Sequence, residues 1–199
     1  YGPEEITLAT AEVIKRKFAA RTSYAMKQGI WREGMPRELQ PFSGVPITFP
    51  LQNASWHGGR GGHVGFSPVL PQSGDKALAQ FQRTYARYNE FGMDYHGSFA
   101  LGERHITNVN QVLFNKDDAQ MVKKVDGFFR ALVDDASVQR YGEYRAHIEY
   151  MDLIASTYDF NDQALRKLNE RVKAALDPNG IIAPGKSGIW PAGTRGGAA

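Results

Sequence analysis

Apolar side chains recur at helical spacing in four stretches of the chain, which begin near residue 4 and after Asp75, Asp117 and Asn161. Residues three or four positions apart lie on one face of a helix, so each stretch predicts an amphipathic helix. The apolar stripes are Leu8, Ala11, Ile14 and Phe18 in residues 4–28; Leu78, Phe81, Tyr85 and Tyr88; Met121, Val125, Phe128, Phe129 and Leu132; and Leu165, Leu168, Val172 and Leu176. Asn161 is expected to be the N-cap of the last helix. Pro178 is expected to end that helix at Asp177, because proline disfavours helical geometry in the residue before it.

Shorter apolar runs between these helices predict strands at residues 45–51, 63–70, 93–101 and 105–114. Pro68 interrupts the second run, which suits an edge strand or the end of a strand. The last two runs flank a three-residue link at 102–104 and predict an antiparallel hairpin. Strands paired in this way and mixed with helices predict an α+β fold, in which helices flank an antiparallel sheet.

Alternation along the predicted hairpin puts Ser98 and Ala100 on one face of its first strand. His105, Thr107 and Val109 lie on one face of the second strand. These side chains are small and of mixed polarity. Such a face is typical of a solvent-facing surface, and it also suits the wall of a ligand pocket, so both interpretations stay open.

Composition narrows the class of protein. The 199 residues are 42% hydrophobic and 12% aromatic, which is enough for a sizeable core in one large domain or slightly more. The net charge is only +3 and basic residues form no stripe, so a nucleic-acid partner is not expected. The chain has no cysteine, which excludes disulfides and fits a cytoplasmic protein. No apolar run approaches the roughly 18 residues of a membrane span, so no membrane partner is expected.

The glycine-rich loop at residues 56–63, WHGGRGGH, lets the backbone approach a bulky ligand closely. Its glycines match neither the dinucleotide-binding nor the Walker spacing, so they do not support a phosphate site. His63 is the last residue of this segment and begins an apolar strand, where a histidine is either structural or functional. No metal site is expected, since no metal-binding spacing relates the five histidines, which are His57, His63, His96, His105 and His147.

Three polar residues, Glu143, Tyr144 and Arg145, are consecutive. A tyrosine hydroxyl and a guanidinium can both donate to an anion, so Tyr144 and Arg145 suit a phenolate or a carboxylate ligand. The alternative is structural: Arg145 forms a salt bridge with a nearby acid, and Tyr144 packs in the core.

Three blocks of sequence resemble the vanillyl-alcohol oxidase family of FAD enzymes, and within it the eugenol oxidase and 4-cresol methylhydroxylase group. They are HVGFSP at 63–68, YGEYRAH at 141–147 and DPNGIIAPGKSGIWP at 177–191. The last block alone also resembles the wider group of FAD-linked oxidases. Its combination with GEYR is more specific for the vanillyl-alcohol oxidase family. The resemblance extends over nearly the whole chain.

The resemblance implies that residues 1–140 are the later part of a cap (substrate) domain. Residues 141–199 would be a C-terminal segment that packs on an FAD-binding domain. We therefore expect the chain to be a fragment whose partner is the N-terminal, FAD-binding half of the same enzyme. The resemblance also implies that the enzyme forms a homo-oligomer, either a dimer or a larger assembly.

The resemblance also implies roles for individual residues. His63 matches the covalent attachment point of FAD, while Tyr144 and Arg145 match the pair that binds the substrate as its phenolate. Arg145 and Lys186 would contact the flavin. The expected substrate-pocket positions are Ser67, Ser98, His105, Thr107 and Val109.

The implied reaction is hydride transfer to FAD from a para-substituted phenol such as vanillyl alcohol, eugenol or a 4-alkylphenol. The product is a para-quinone methide, and dioxygen then reoxidises the flavin and gives hydrogen peroxide. One alternative is an FAD-linked 2-hydroxy-acid oxidase or dehydrogenase in which Arg145 binds the carboxylate. Another is a non-catalytic module that keeps the cap fold.

Overall fold

A computed structural model describes residues 3–19, 33–36, 40 and 49–194. The chain divides into two compact units, Tyr1–Gln52 and Asn53–Ala199. The first unit contains helix α1, Glu4–Ala19, which confirms the first predicted helix over these residues. The rest of that prediction, residues 20–28, lies outside the described residues. None of the side chains of α1 is buried, and Phe18 on its apolar stripe is 59% exposed.

The prediction of a strand at residues 45–51 is wrong for residues 49–51. Residues Phe49–Ser55 form a 3-10 helix instead. Pro50 has no backbone N–H to donate to a neighbouring strand, whereas proline is tolerated in the first turn of a helix. Residues 45–48 lie outside the described residues.

The second unit is built on one antiparallel sheet. Its strands are β1 Gly61–Phe66, β2 Pro68–Pro71, β3 Gly97–Leu101, β4 His105–Asn115 and β5 Gly142–Glu143. The long strand β4 pairs with β3 along one edge and with both β1 and β2 along the other, and β5 pairs with the far edge of β2. The sheet and its flanking helices confirm the predicted α+β class.

The predicted hairpin is confirmed as β3 and β4, although its first strand begins at Gly97 rather than at residue 93. The predicted strand at 63–70 is confirmed as β1 followed by β2. Register is continuous across the break, because Phe66 pairs with Asn110 and Val69 pairs with Thr107. Pro68 therefore begins a strand, as expected for a residue without a backbone N–H.

Two helices, α2 Gly74–Glu90 and α3 Ala119–Val138, pack on one face of the sheet. The predicted stripe of α3 is confirmed for Val125, Phe128, Phe129 and Leu132. Asp118 caps the helix, since its carboxylate accepts from the N–H groups of Gln120 and Met121 at 2.9 and 3.0 Å. The core cluster is Val64, Phe66, Tyr88, Met93, Val112, Val125, Phe128, Phe129, Leu132, Val133, Ala136, Tyr150 and Ile154.

The stripe predicted for α2 is only partly correct. Tyr88 is buried, but Leu78, Phe81 and Tyr85 are at least one-third exposed. The buried face of α2 instead carries Gln80, Thr84 and Tyr88. Gln80 donates to Thr84 at 3.0 Å and lies 3.4 Å from the Asn108 side chain of β4, so hydrogen bonding makes polar burial possible here.

The described part of the chain ends in two helices and a hook, which is residues 177–191. Helix α4 is Met151–Thr157 and helix α5 is Phe160–Leu176, and α5 stops one residue before Asp177, as expected. Asn161 is not the N-cap, because it begins a left-handed run of three residues inside the element and Asp159 occupies the cap position. The predicted stripe of α5 lies exposed, and none of its side chains is buried.

Candidate functional site

One face of the sheet collects six of the predicted site residues. Alternate residues of a strand lie on one face, and directly opposed residues lie on the same face. His63 is opposite Leu113, Ser98 is opposite Val109, and the continuous register of β1 and β2 puts Ser67 across from Val109. The resulting His63 face contains His63, Ser67, Ser98, His105, Thr107 and Val109.

The opposite face packs against the helices through Val64, Phe66 and Val112. On the His63 face, Ser98 and His105 are exposed, Val109 is half-buried and Thr107 is buried. The face is therefore neither fully solvated nor fully covered. The role of its residues in a substrate pocket stays a prediction.

A second group of predicted residues lines a groove of about 320 Å³ beside the end of β5. Tyr144 and Arg145 come from the segment after β5, and Lys186 comes from the C-terminal hook. Helices α4 and α5 form the rest of the wall. The lining residues are Glu143, Tyr144, Arg145, Ala146, Met151, Ile154, Ala155, Tyr158, Leu165, Arg166, Asn169, Lys186, Ser187 and Ile189.

Tyr144 and Arg145 converge despite being adjacent in sequence. The guanidinium carbon of Arg145 lies 6.0 Å from the centroid of the Tyr144 ring, at the limit of a cation–π contact. Tyr144 is 66% exposed and is not part of the core. Among the described residues, no carboxylate lies within 4.0 Å of the Arg145 guanidinium. The structural alternative of a core tyrosine and a salt-bridged arginine does not describe this pair.

His63 is electrostatically coupled to the same segment. Partial burial is the largest cause that lowers the pKa of His63 below its ordinary value. The charges of His147, Lys116 and Arg145 lower it further, in that order. The lowered pKa favours the neutral imidazole of His63 at neutral pH. Tyr144, which precedes Arg145, donates its N–H to the carbonyl of Ser67 at 2.9 Å, so the segment that contains Arg145 lies beside the His63 face.

The hook that contains Lys186 is anchored by Asp177. The carboxylate of Asp177 accepts from the N–H groups of Ile181 and Ile182, both at 2.9 Å, and from the Lys173 ammonium at 2.5 Å. The Lys173 contact is the first cause that lowers the pKa of Asp177 to about 2.

A tight turn follows at Gly185. Its φ is +79°, and a Cβ there would lie 2.7 Å from the Trp190 ring. Only glycine can adopt this backbone conformation and also leave room for the Trp190 ring. The turn comes directly before Lys186, whose side chain lines the groove.

Glu143 is a buried acid immediately before Tyr144, and it is 8% exposed. Its Oε1 accepts from the backbone N–H of Ser67 at 2.5 Å. Burial is the main cause that raises the pKa of Glu143 to about 8, although the N–H groups of Ser67 and Arg145 and the charge of Arg145 act in the opposite direction. The sequence shows this acid but not its burial or its partner.

Arg166 and Asn169 also line the groove, and sequence reasoning missed both. They lie three positions apart on α5, so they share a face of that helix. Their spacing is the signal that could have revealed them, but the apolar residues of the same helix dominate its pattern. With Arg145 and Lys186, Arg166 makes the groove cationic.

Within the described ranges, no three His, Cys, Asp or Glu residues cluster in a way that could hold a metal ion. Over the same part of the chain, every helix is too short or too polar to cross a bilayer.

Residues 60–187 match the family described as FAD linked oxidases, C-terminal domain. The chain belongs to this family. The matched range begins at Arg60, just before β1, and ends at Ser187 in the hook, so it includes His63, Tyr144, Arg145 and Lys186.

A curated relative narrows the resemblance within the FAD-linked oxidases. The 4-cresol dehydrogenase [hydroxylating] flavoprotein subunit of Pseudomonas putida is 33% identical over 159 residues, which cover 76% of this chain and 30% of that protein. The chain therefore spans about a third of the length of this relative.

Two solved structures share the fold. A 4-ethylphenol oxidase from Gulosibacter chungangensis, in complex with isoeugenol, matches with a TM-score of 0.86 and 32% identity, over 96% of this chain and 38% of that one. A p-cresol methylhydroxylase with substrate bound matches with a TM-score of 0.82 and 27% identity, over 96% and 37%. The resemblance to the phenol-oxidising group and the predicted fold class are both confirmed.

Proposed function

We propose that the chain is the C-terminal part of an FAD-dependent enzyme that oxidises para-substituted phenols of the vanillyl-alcohol, eugenol or 4-alkylphenol type. Residues 1–140 would complete the substrate domain, and residues 141–199 would return to the FAD-binding domain. The observation that carries the proposal is that two groups of predicted site residues, those of the His63 face and those of the groove, lie next to each other. The His63 face of the sheet, which includes Ser67, is hydrogen-bonded to the segment from which Tyr144 and Arg145 enter a cationic groove.

Tyr144 and Arg145 are suited to bind the phenol as its phenolate. Both donate hydrogen bonds, and the positive charge of Arg145 favours the anionic form of a nearby phenol. Because Arg145 has no carboxylate partner among the described residues, its charge remains available to an anionic ligand. Binding as phenolate pushes electron density toward the para carbon, from whose substituent a hydride leaves.

The groove also fits an electron-accepting flavin ring. Arg145, Arg166 and Lys186 place positive charge along its wall, which favours a ring that becomes anionic on reduction. When bound, FAD supplies the acceptor for the hydride and is reoxidised by dioxygen with release of hydrogen peroxide. The substrate is left as a para-quinone methide, to which water adds, or which loses a proton if the substrate was an alcohol.

His63 is the proposed point of covalent attachment. A nucleophilic imidazole must be unprotonated, and the lowered pKa of His63 provides that form at neutral pH. The glycine-rich loop before His63 permits close approach of a large ring system. A covalent link would keep FAD bound and make it a stronger oxidant.

The exposed stripe of α5 is the proposed contact with the FAD-binding half of the enzyme. Leu165, Leu168 and Leu176 are each more than half exposed, and Val172 is nearly so. Four apolar side chains on one helical face form a patch that a folded protein normally covers.

The proposal is tested on the full-length enzyme that contains this chain. We expect flavin fluorescence to stay with the polypeptide on a denaturing gel and to be lost in His63→Ala, while His57→Ala, in the loop before β1, keeps it. We expect Arg145→Met to raise the KM for a 4-alkylphenol by about 10- to 100-fold, the scale of a lost charged hydrogen bond.

Other outcomes point to the other functions. Covalent FAD in His63→Ala would refute the attachment site. Oxidation of 2-hydroxy acids but not phenols, with non-covalent FAD, would indicate the hydroxy-acid enzyme. Failure to bind flavin at all would indicate a non-catalytic module.

A further inference from the structure

Glu143 links two segments that are far apart in sequence. It ends the two-residue strand β5, where it pairs with Pro68 of β2. Its carboxyl accepts from the N–H of Ser67, and the carbonyl of Ser67 accepts from the N–H of Tyr144 at 2.9 Å. The peptide groups on both sides of Ser67 are therefore held by Glu143 and Tyr144.

This link is important because β5 itself is short. A two-residue strand offers few ladder hydrogen bonds, and Pro68 has no N–H to contribute. The side chain of Glu143 consequently supplies a large part of the polar contact between β5 and Ser67, the residue that joins β1 to β2. The hydroxyl of Tyr158 donates to the carbonyl of Glu143 at 2.9 Å and fixes the same residue from the side of α4.

The second carboxyl oxygen, Oε2, is buried and has no hydrogen-bond partner among the described residues. Glu143 also forms part of the groove wall beside Arg145. The carboxyl makes no salt bridge with Arg145, but when it is ionised the two charges attract each other, and when it is neutral they do not.

We propose that Glu143 is a positioning residue of the site, because its contact with Ser67 sets the place of Tyr144 and Arg145 relative to the His63 face. This inference rests on the proposed function. Glu143 need not touch the substrate or the flavin to act in this way.

The charged and titratable groups around Glu143 define how the site responds to pH. Burial opposes the ionised carboxylate, whereas the N–H groups of Ser67 and Arg145 and the charge of Arg145 favour it. With a pKa of about 8, the carboxyl is mostly neutral at pH 7 and ionises above pH 8. Phenolate binding is expected to weaken as pH rises through this range.

Two substitutions in the full-length enzyme separate position from charge. Glu143→Gln keeps an acceptor at the Ser67 N–H and stays neutral, while Glu143→Asp withdraws the carboxyl by one methylene. The probe is phenol itself, which has no para substituent from which a hydride could leave. Its dissociation constant is measured from the change in flavin absorbance between pH 6.5 and 9.5. Glu149→Gln, an exposed acid six residues along the chain, is the matched control.

We expect Glu143→Gln to bind the phenol as tightly as the unmodified enzyme at pH 7 and to lose the weakening above pH 8. We expect Glu143→Asp to raise the dissociation constant about tenfold at pH 7, the scale of one hydrogen bond to a charged or strongly polar group. The control should match the unmodified enzyme at every pH.

Equal binding by the unmodified enzyme and both Glu143 variants at every pH would overturn the inference while leaving the proposed function intact. So would equal weakening by both variants with a matching fall in melting temperature, which indicates a structural role only. Absence of phenol binding by the unmodified enzyme would overturn the proposed function itself, and this inference with it.

Discussion

Replacement of Glu143 by glutamine should make the stability of the protein less dependent on pH. The folded-state pKa of Glu143 is about 8, against an ordinary value of 4.5, with burial as the main cause. Between these two values the folded state binds more protons than the unfolded state. The contribution of Glu143 is therefore fully present below about pH 4.5 and is lost as pH rises to about 8.

The size of this effect follows from the difference between the two pKa values. Each unit corresponds to about 1.4 kcal/mol, so raising the pH from 5 to 8 should cost the unmodified protein about 4 kcal/mol relative to Glu143→Gln. Typical domains are stable by only about 5–15 kcal/mol, so the effect is a large share of the total. Glutamine cannot ionise, and it should give the more stable protein at pH 8.

Urea unfolding followed by far-UV circular dichroism at pH 5, 6.5 and 8 measures this difference. Other titrating groups contribute equally to both proteins and cancel. Glu149→Gln, which removes an exposed carboxylate, is the matched control. A difference between Glu143→Gln and the unmodified protein that stays flat from pH 5 to 8 would refute the assignment of a neutral buried carboxyl.

Three further changes test the packing, the capping and the hook. Phe128→Ala should lower the unfolding free energy by about 3–5 kcal/mol, because the ring is fully buried and its centroid lies 4.7 Å from that of the Tyr88 ring. The control is Val138→Ala, an exposed position on the same helix, which should change the unfolding free energy by less than about 0.5 kcal/mol. Asp118→Ala should lower it by about 1 kcal/mol in urea unfolding, and Asp118→Asn by less, since asparagine also caps helices. Asp177 has a lowered pKa of about 2, so the anchoring of the hook is present above about pH 4 and is lost as pH falls through 2. In Asp177→Ala we expect faster hydrogen exchange at the hook amides at neutral pH, and unchanged exchange would contradict the anchoring role.

Elements governed by local pattern were the most predictable from sequence. Helix α3 has an apolar stripe and an aspartate at its start, and both signals agree with its packing and its cap. The hairpin of β3 and β4 was predictable for the same reason, since its strands are joined by a short link. The dipeptide Tyr144–Arg145 and the groove lysine Lys186 were recognisable because they lie in short motifs.

Features that depend on distant partners were not predictable in this way. Helix α2 buries Gln80 and Thr84 rather than its larger apolar residues, because Asn108 of β4 lies close to Gln80 and makes polar burial possible. The contact of Glu143 with Ser67 depends on the register of β5 against β2. A pattern of residues along one segment contains no information about such pairings.

The hydrogen bond between Ser67 and Glu143 spans 76 positions of sequence, and this separation has a consequence for the order of folding. Contacts between distant residues form slowly, because the chain between them must first be ordered. We expect the hairpin and α3 to form early, and the segment of Tyr144 and Arg145 to dock last. The same short strand should also be among the first to open in the folded protein, so the two halves of the site are assembled late and separated early.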